Sequence, residues 1–268
     1  MIVLNLLRHL ASRQGPFLAL CSALFALFHF LICAAVSSAN VGAALEALMH
    51  SLPPLLQNLV TTQFFGGLSE RGLVAFGWNH PVSHAIGTAV AIVLAARAVA
   101  GEIESGAAEL LFSQPLARGT YCGTHVLFAL LSLGLLSLAG VVGTSLGQAA
   151  FDMPLFGAGA LLTLALDFFL LQSAWYGIAL AFSSYGHEGG RVAGIGFLLA
   201  VVSFFAQAIG RLWSAAAFVL PWTLHHYFSP QTILVENGSP WRLFLMLFAV
   251  TSAGIALAAW RFRRRDLP

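Results

Sequence analysis

Six stretches of about twenty mostly apolar residues, at 17–38, 82–100, 126–148, 159–183, 192–213 and 241–260, leave this chain few folds to choose from. Each is long enough to cross the roughly 30 Å hydrocarbon layer as a helix rising 1.5 Å per residue. Charged residues make up 8% of the sequence, against about 25% in a soluble domain, so the bilayer is the natural solvent. The expected fold class is all-α: one polytopic transmembrane domain over 1–268 with six spanning helices.

The basic residues orient such a bundle. All twelve are arginine. If both termini are cytoplasmic, nine of them (Arg8, Arg13, Arg97, Arg118, Arg191, Arg261, Arg263, Arg264 and Arg265) fall on the inner face. Arg71, Arg211 and Arg242 fall outside, a bias of the sign the positive-inside rule requires. The expected location is therefore a cell inner or plasma membrane, crossed several times. The first apolar run, at about 20 residues, exceeds the 7–15 of a signal-peptide core, so it is expected to stay as a span. Cys21 and Cys33 lie about 18 Å apart on one helix, and Cys122 falls on the reducing side, so no disulfide is expected.

Between the spans, residues 1–15 alternate leucines with Arg8, His9 and Arg13, which predicts an amphipathic interfacial helix before Pro16 opens the first span. Residues 39–81 read as an external loop, a helical hairpin broken at Pro53 and Pro54. Residues 214–240, aromatic and punctuated by Pro221 and Pro230, read as an external or re-entrant segment. The closing arginines are expected to anchor the last helix at anionic lipids of the inner leaflet.

Residues 101–125 break the apolar pattern with three of the ten carboxylates. Taken as a helix from Gly101, Ile103, Ala107, Leu110 and Leu111 share one side, and Glu102, Ser105 and Glu109 the other. Gln114, preceding Pro115, is biased out of helical geometry, so the helix should end near Ser113. The spacing predicts a short amphipathic helix along the inner surface, polar face to the cytoplasm, with 116–125 climbing back into the third span.

The pattern at Glu102, Glu104, Gly106, Glu109, Leu110, Leu111, Pro115, Leu116 and Arg118 resembles the signature of ABC-2-type transporter permeases. The terminal Phe262, Arg264, Arg265 and Asp266 and the six-span layout extend that resemblance. Ala107 stands where relatives often have Thr, and no lysine lies near Thr124 or His125. The resemblance implies ABC-2-type exporter architecture and a permease subunit that forms the membrane pathway. It also implies that Glu102 to Arg118 forms a coupling helix fitting a groove on a separate ATP-binding subunit. The implied partners are that ABC ATPase, a second permease subunit (identical or different) and the lipid bilayer, with no nucleic acid. A lysine-free chain has no standard P-loop, which needs G-x-x-x-x-G-K-[ST]. The chain is thus expected to be a transport subunit rather than an enzyme and to carry no cofactor. ATP and Mg would sit on the partner. The cargo is not legible.

Other residues carry rival readings. Gly143-Thr144-Ser145-Leu146-Gly147 spells the G-x-S-x-G of serine hydrolases, with His84 or His29 as partner for an intramembrane hydrolase using Ser145. The same glycines spell small-xxx-small, a helix-packing motif. Asp167, with Gln172 one turn or more beyond, is the carboxylate deep inside a span. It suggests an ion- or proton-coupled carrier, or else an interhelical hydrogen bond with Gln207. His187, Glu188 and Arg191, in a short inner turn, form a possible second contact with the ATPase. His80, His84, His225 and His226 lack metal-ligand spacing, so no metal site is expected.

Overall fold

The computed structural model describes residues 2–38, 47, 49–53, 57, 69–106, 117–154 and 156–265. Among them there is no strand, and six helices are long and apolar enough to cross a membrane. The first span is Ile2–Ser37 and the third Arg118–Ala150. The fourth is Ala158–Tyr185, the fifth Gly189–Leu212 and the sixth Trp241–Arg264. The second is composite, running from Glu70 to Glu104 with two interruptions.

The first helix passes through Pro16 without ending. A proline inside a helix forfeits one hydrogen bond and presses on the carbonyl four residues back. Leu10, Gln14, Phe25, His29 and Cys33 nevertheless form one buried seam on both sides of it. The expected interfacial piece at 1–15 and the span that follows are thus a single rod of about 54 Å, longer than the hydrocarbon layer.

Glycines on the third span let the first lie against it. A Cβ on Gly143 would collide with the carbonyl oxygen of Ala26, and one on Gly147 would sit 2.6 Å from Cys33 Cβ. The Gly143–Gly147 pair is therefore a helix-packing device. Ser145 beside it makes no hydrogen bond among the described residues, while His29 pairs with Ser83 and His84 with Asn79. The geometry holds no Ser145–histidine pair.

The second span begins earlier than expected. Ser69 caps its first helix, Glu70–Trp78, by accepting from Gly72 N–H at 3.1 Å. Trp78, which falls in the expected external stretch, is fully buried against Phe25, His29 and Phe168. The chain then jogs at Asn79. His80 Nδ1 accepts from Val82 N–H at 3.2 Å, and Pro81 opens the second helix, Pro81–Ala96. The rest of the 39–81 loop lies mostly outside the described residues.

The fourth span is the most enclosed of the six. It meets the sixth backbone to backbone: a Cβ on Gly177 would lie 2.9 Å from Thr251 O, and one on Gly254 2.5 Å from Gly177 C. First, fifth and sixth spans keep most of their side chains on the outside of the bundle. Arg13 on the first helix, Arg118 at the start of the third and Arg261–Arg265 at the close of the sixth lie at one end of the bundle; this is the basic end.

Candidate functional site

At the basic end the second span stops being an α-helix. Arg97–Gly101 is a π-helical turn, and its cause is a side chain from the fourth span. In an unbroken α-helix the Ala100 N–H would donate to the Ala96 carbonyl. Here the Ser183 hydroxyl stands between them, accepting from Ala100 N at 3.0 Å and donating to Ala96 O at 3.3 Å. Side-chain insertion into the helical ladder is a recognised origin of such bulges, which gather at functional sites. Within the same turn, Tyr121 of the third span donates its hydroxyl proton to Ala98 O at 2.8 Å. Spans three and four therefore both grip the foot of span two.

Beyond the bulge come Glu102–Glu104 and then the helix ends. Ser105 Oγ donates to Glu102 O, Gly106 N–H to Ile103 O, and Gly106 has φ +72°. That left-handed residue is the usual terminator of a helix and favours glycine. The single helix expected from Gly101 to Ser113 is thus corrected. Glu102 and Glu104 belong to the foot of the second span, and Gly106 separates them from whatever follows. Glu109, Leu110, Leu111 and Pro115 fall outside the described residues, as do Ala107 and Leu116.

Neither glutamate hangs free. Glu102, largely shielded, pairs with Arg13 of the first span at 3.2 Å. Glu104 Oε2 accepts from the backbone N–H of Gly189 at 2.7 Å. Gly189 is the first residue of the fifth span, so the carboxylate sits where unpaired amides and the positive end of the helix dipole favour it. The approach is close: a Cβ on Gly189 would lie 3.1 Å from Gly101 Cα.

Arg118, on the far side of the undescribed stretch, does different work. Its Nη1 donates to the carbonyls of Phe262, Arg263 and Arg265, capping the sixth helix. Arg265 is buried and closes the fourth helix, donating from Nη1 to Ser184 O at 2.9 Å and Gly186 O at 2.8 Å. Its Nη2 lies 3.0 Å from His187 Nδ1, which places His187 in this capping cluster. Glu188 is the residue before the fifth helix, and Arg191 lies in that helix's first turn; both border a cavity of about 350 Å³ with His187 and Tyr185.

The structure thus brings Glu102, Glu104, Gly106, Arg118, His187 and Glu188 to one end. It adds residues the motif does not contain: Ser183, Tyr121, Gly189 and Arg13. A pair of serines, Ser183 and Ser184, closing the last, apolar turns of the fourth helix is the sequence trace of the first of these. Nothing local marks Gly189 as the partner of Glu104.

The intramembrane polar residues lie toward the opposite end. Asp167 is wholly buried and its Oδ2 accepts from Ser229 N–H at 2.9 Å. Gln207 Nε2 donates to His225 O at 2.8 Å. The expected Asp167–Gln207 bond is therefore absent; each side chain instead holds the segment after the fifth span. Gln172 Oε1 accepts from Thr88 Oγ at 3.3 Å and takes no part in that grip. Asp167 lies nine residues into the fourth helix, so Ser229 is drawn about 14 Å below that helix's start. The segment, with 3₁₀ turns at Ser214–Trp222 and Leu224–Tyr227 and a helix at Pro230–Leu234, folds back against the fourth and fifth spans. Irregular backbone survives at that depth where protein groups satisfy it. Ser203 Oγ accepts from Leu224 N–H and touches His225 Nδ1 at 3.0 Å.

A family model described as ABC-2 family transporter protein matches residues 11–267. No curated protein matches the chain.

Proposed function

We propose, because the chain belongs to the ABC-2 family of transporter proteins, that it is the permease half of an exporter driven by a separate ATP-binding subunit. Family membership makes it a multi-pass membrane transport subunit. The finer reading puts both termini in the cytoplasm, in an inner or plasma membrane, with nine arginines inside against three outside. Two permease subunits, identical or different, would flank the pathway, and each would bear one ATPase carrying ATP and Mg.

The observation that supports coupling is the way residues 102–106 are fastened. The stretch leading out to 107–116 is tied at its root to spans one, four and five, through Arg13, Ser183 and Gly189. On its return, Arg118 ties it to the sixth span. A push on 107–116 would therefore be delivered to several spans at once. Such a push moves the pathway only if the partner binds the two states with different affinity.

The test is co-purification with a separate ABC ATPase subunit. Glu109→Arg and Pro115→Ala are expected to weaken that association and transport together. If both variants keep full association and transport, the coupling role of 102–118 is wrong.

A further inference from the structure

The third span starts and the sixth ends at the basic end, and a cavity of about 180 Å³ lies between them. By share of liquid volume this would hold about six waters. Arg118 and Arg263 stand at its mouth; Gly119, Gly123, Val126 and Ile255 line it further in. Val126 is eight residues beyond Arg118, and Ile255 eight before Arg263. Both helices thus carry the groove about 12 Å from its charged mouth into the apolar layer.

The mouth is built for an anion. Arg263 is exposed, and its guanidinium makes no hydrogen bond or ion pair among the described residues. Arg118 spends only Nη1 on the end of the sixth helix. Among the described residues no carboxylate lines the cavity. The third helix has no side-chain cap at Ala117, so the amides before Tyr121 lack an intrahelical acceptor and add partial positive charge. On the other side of Arg263 lies a second hollow, bounded by Ala256, Trp260 and Arg264, with the Arg264 guanidinium 4.8 Å over the Trp260 ring. The two hollows share Ala259 and Arg263, which sets Arg263 between an apolar groove and a second hollow floored by Trp260.

We propose that this site binds an anionic glycerophospholipid. The phosphate lies on Arg263, the free Arg118 nitrogens and the Gly119 amide. One acyl chain runs along Gly119, Gly123, Val126 and Ile255; the second passes by Trp260. Charge complementarity selects the headgroup, and the apolar floor selects a lipid over a free phosphate. Gly119 and Gly123 keep the floor open: a Cβ on Gly123 would have nothing within 4 Å, and one on Gly119 would touch only Arg263 Nη2 at 3.9 Å. The site is independent of how the chain meets an ATPase.

The measurement is native mass spectrometry of the purified full chain, titrated with phosphatidylglycerol or with phosphatidylcholine. Phosphatidylglycerol is expected to bind at least about fivefold more tightly, the preference one arginine near a lipid surface supports. Arg263→Gln should abolish that preference and Arg263→Lys should keep most of it. Gly123→Leu, which leaves every charge in place, should weaken binding of both lipids by filling the groove. Equal binding of the two lipids, or an Arg263→Gln variant indistinguishable from the parent, overturns the proposal. Displacement of phosphatidylglycerol by millimolar inorganic phosphate, together with an indifferent Gly123→Leu, would assign the site to free phosphate and equally overturn it.

Discussion

The hydroxyl of Ser183 lies 3.0 Å from the amide nitrogen of Ala100, in the place an α-helix would give to a carbonyl of its own chain turn. One side chain of the fourth span thus sets the helical register of everything that follows in the second span. Residues 102–106 are rotated by that insertion, and the rotation aims Glu102 at Arg13 and Glu104 at Gly189.

Ser183→Ala should consequently cost coupling more than stability. Ala100 N–H and Ala96 O, released together, can re-pair with each other, so the net loss is expected to stay near the ~1 kcal/mol of an ordinary hydrogen bond. The register would revert to α, turning Glu104 away from the fifth span. Cysteines at positions 104 and 190, where an added Cβ at 190 meets nothing within 4 Å, should be joined by a short bifunctional thiol reagent readily in the parent and poorly in the Ser183→Ala background. Equal crosslinking in both would show that the hydroxyl does not set the register.

The Glu104–Gly189 bond allows a graded test. Glu104→Gln keeps an acceptor and should behave almost as the parent. Glu104→Ala removes a carboxylate cap from the fifth helix, for which losses of about 0.5–2 kcal/mol are usual, the lower end suiting so exposed a side chain. Gly189→Val should be the worst of the three, because the added carbons meet Gly101 backbone. Thermal unfolding in detergent, with ATPase co-purification alongside, ranks them; any other order rejects the capping role.

The two readings of Gly143 to Gly147 separate cleanly by substitution. Gly143→Ala places a methyl on the Ala26 carbonyl, and overpacking of this kind costs about 1–3 kcal/mol or more. Ser145→Ala touches neither contact and should leave stability and transport as they were. Loss of activity in a stable Ser145→Ala protein would revive the hydrolase reading.

How much of this was written in the sequence differs from place to place. Span length and apolarity carried the six helices, because the bilayer imposes one length on all of them. Local pattern misplaced the joints. Pro16 carries a break signal that the seam from Leu10 to Cys33 overrides. Helical periodicity across 101–113 hid a terminator, since Gly106 differs from a tolerated helical glycine only by its positive φ. The grip of Ser183 on Ala100 spans 83 residues and that of Glu104 on Gly189 spans 85, so no window along the chain contains either pair. Asp167 announced a polar partner without naming it. A backbone amide such as Ser229 N–H has no side-chain signature, whereas Gln207 does, and the visible candidate was the wrong one.

That same contact separates a transporter driven by a partner's ATP from an ion-coupled carrier. Asp167 Oδ2 is committed to Ser229 N–H, which makes it an anchor for the segment after the fifth span. Asp167→Asn can keep that anchor, because the amide oxygen accepts the same bond and the residue loses only its ability to take up and release a proton. Asp167→Ala cannot, and leaves the Ser229 amide unpaired in a buried site, at about 1–3 kcal/mol. Transport in reconstituted vesicles containing the ATPase is thus expected to survive Asp167→Asn and to fall with Asp167→Ala, in step with faster exchange at 224–229. A carrier that moves protons through this carboxylate predicts the reverse pattern for Asp167→Asn: an intact segment and no transport.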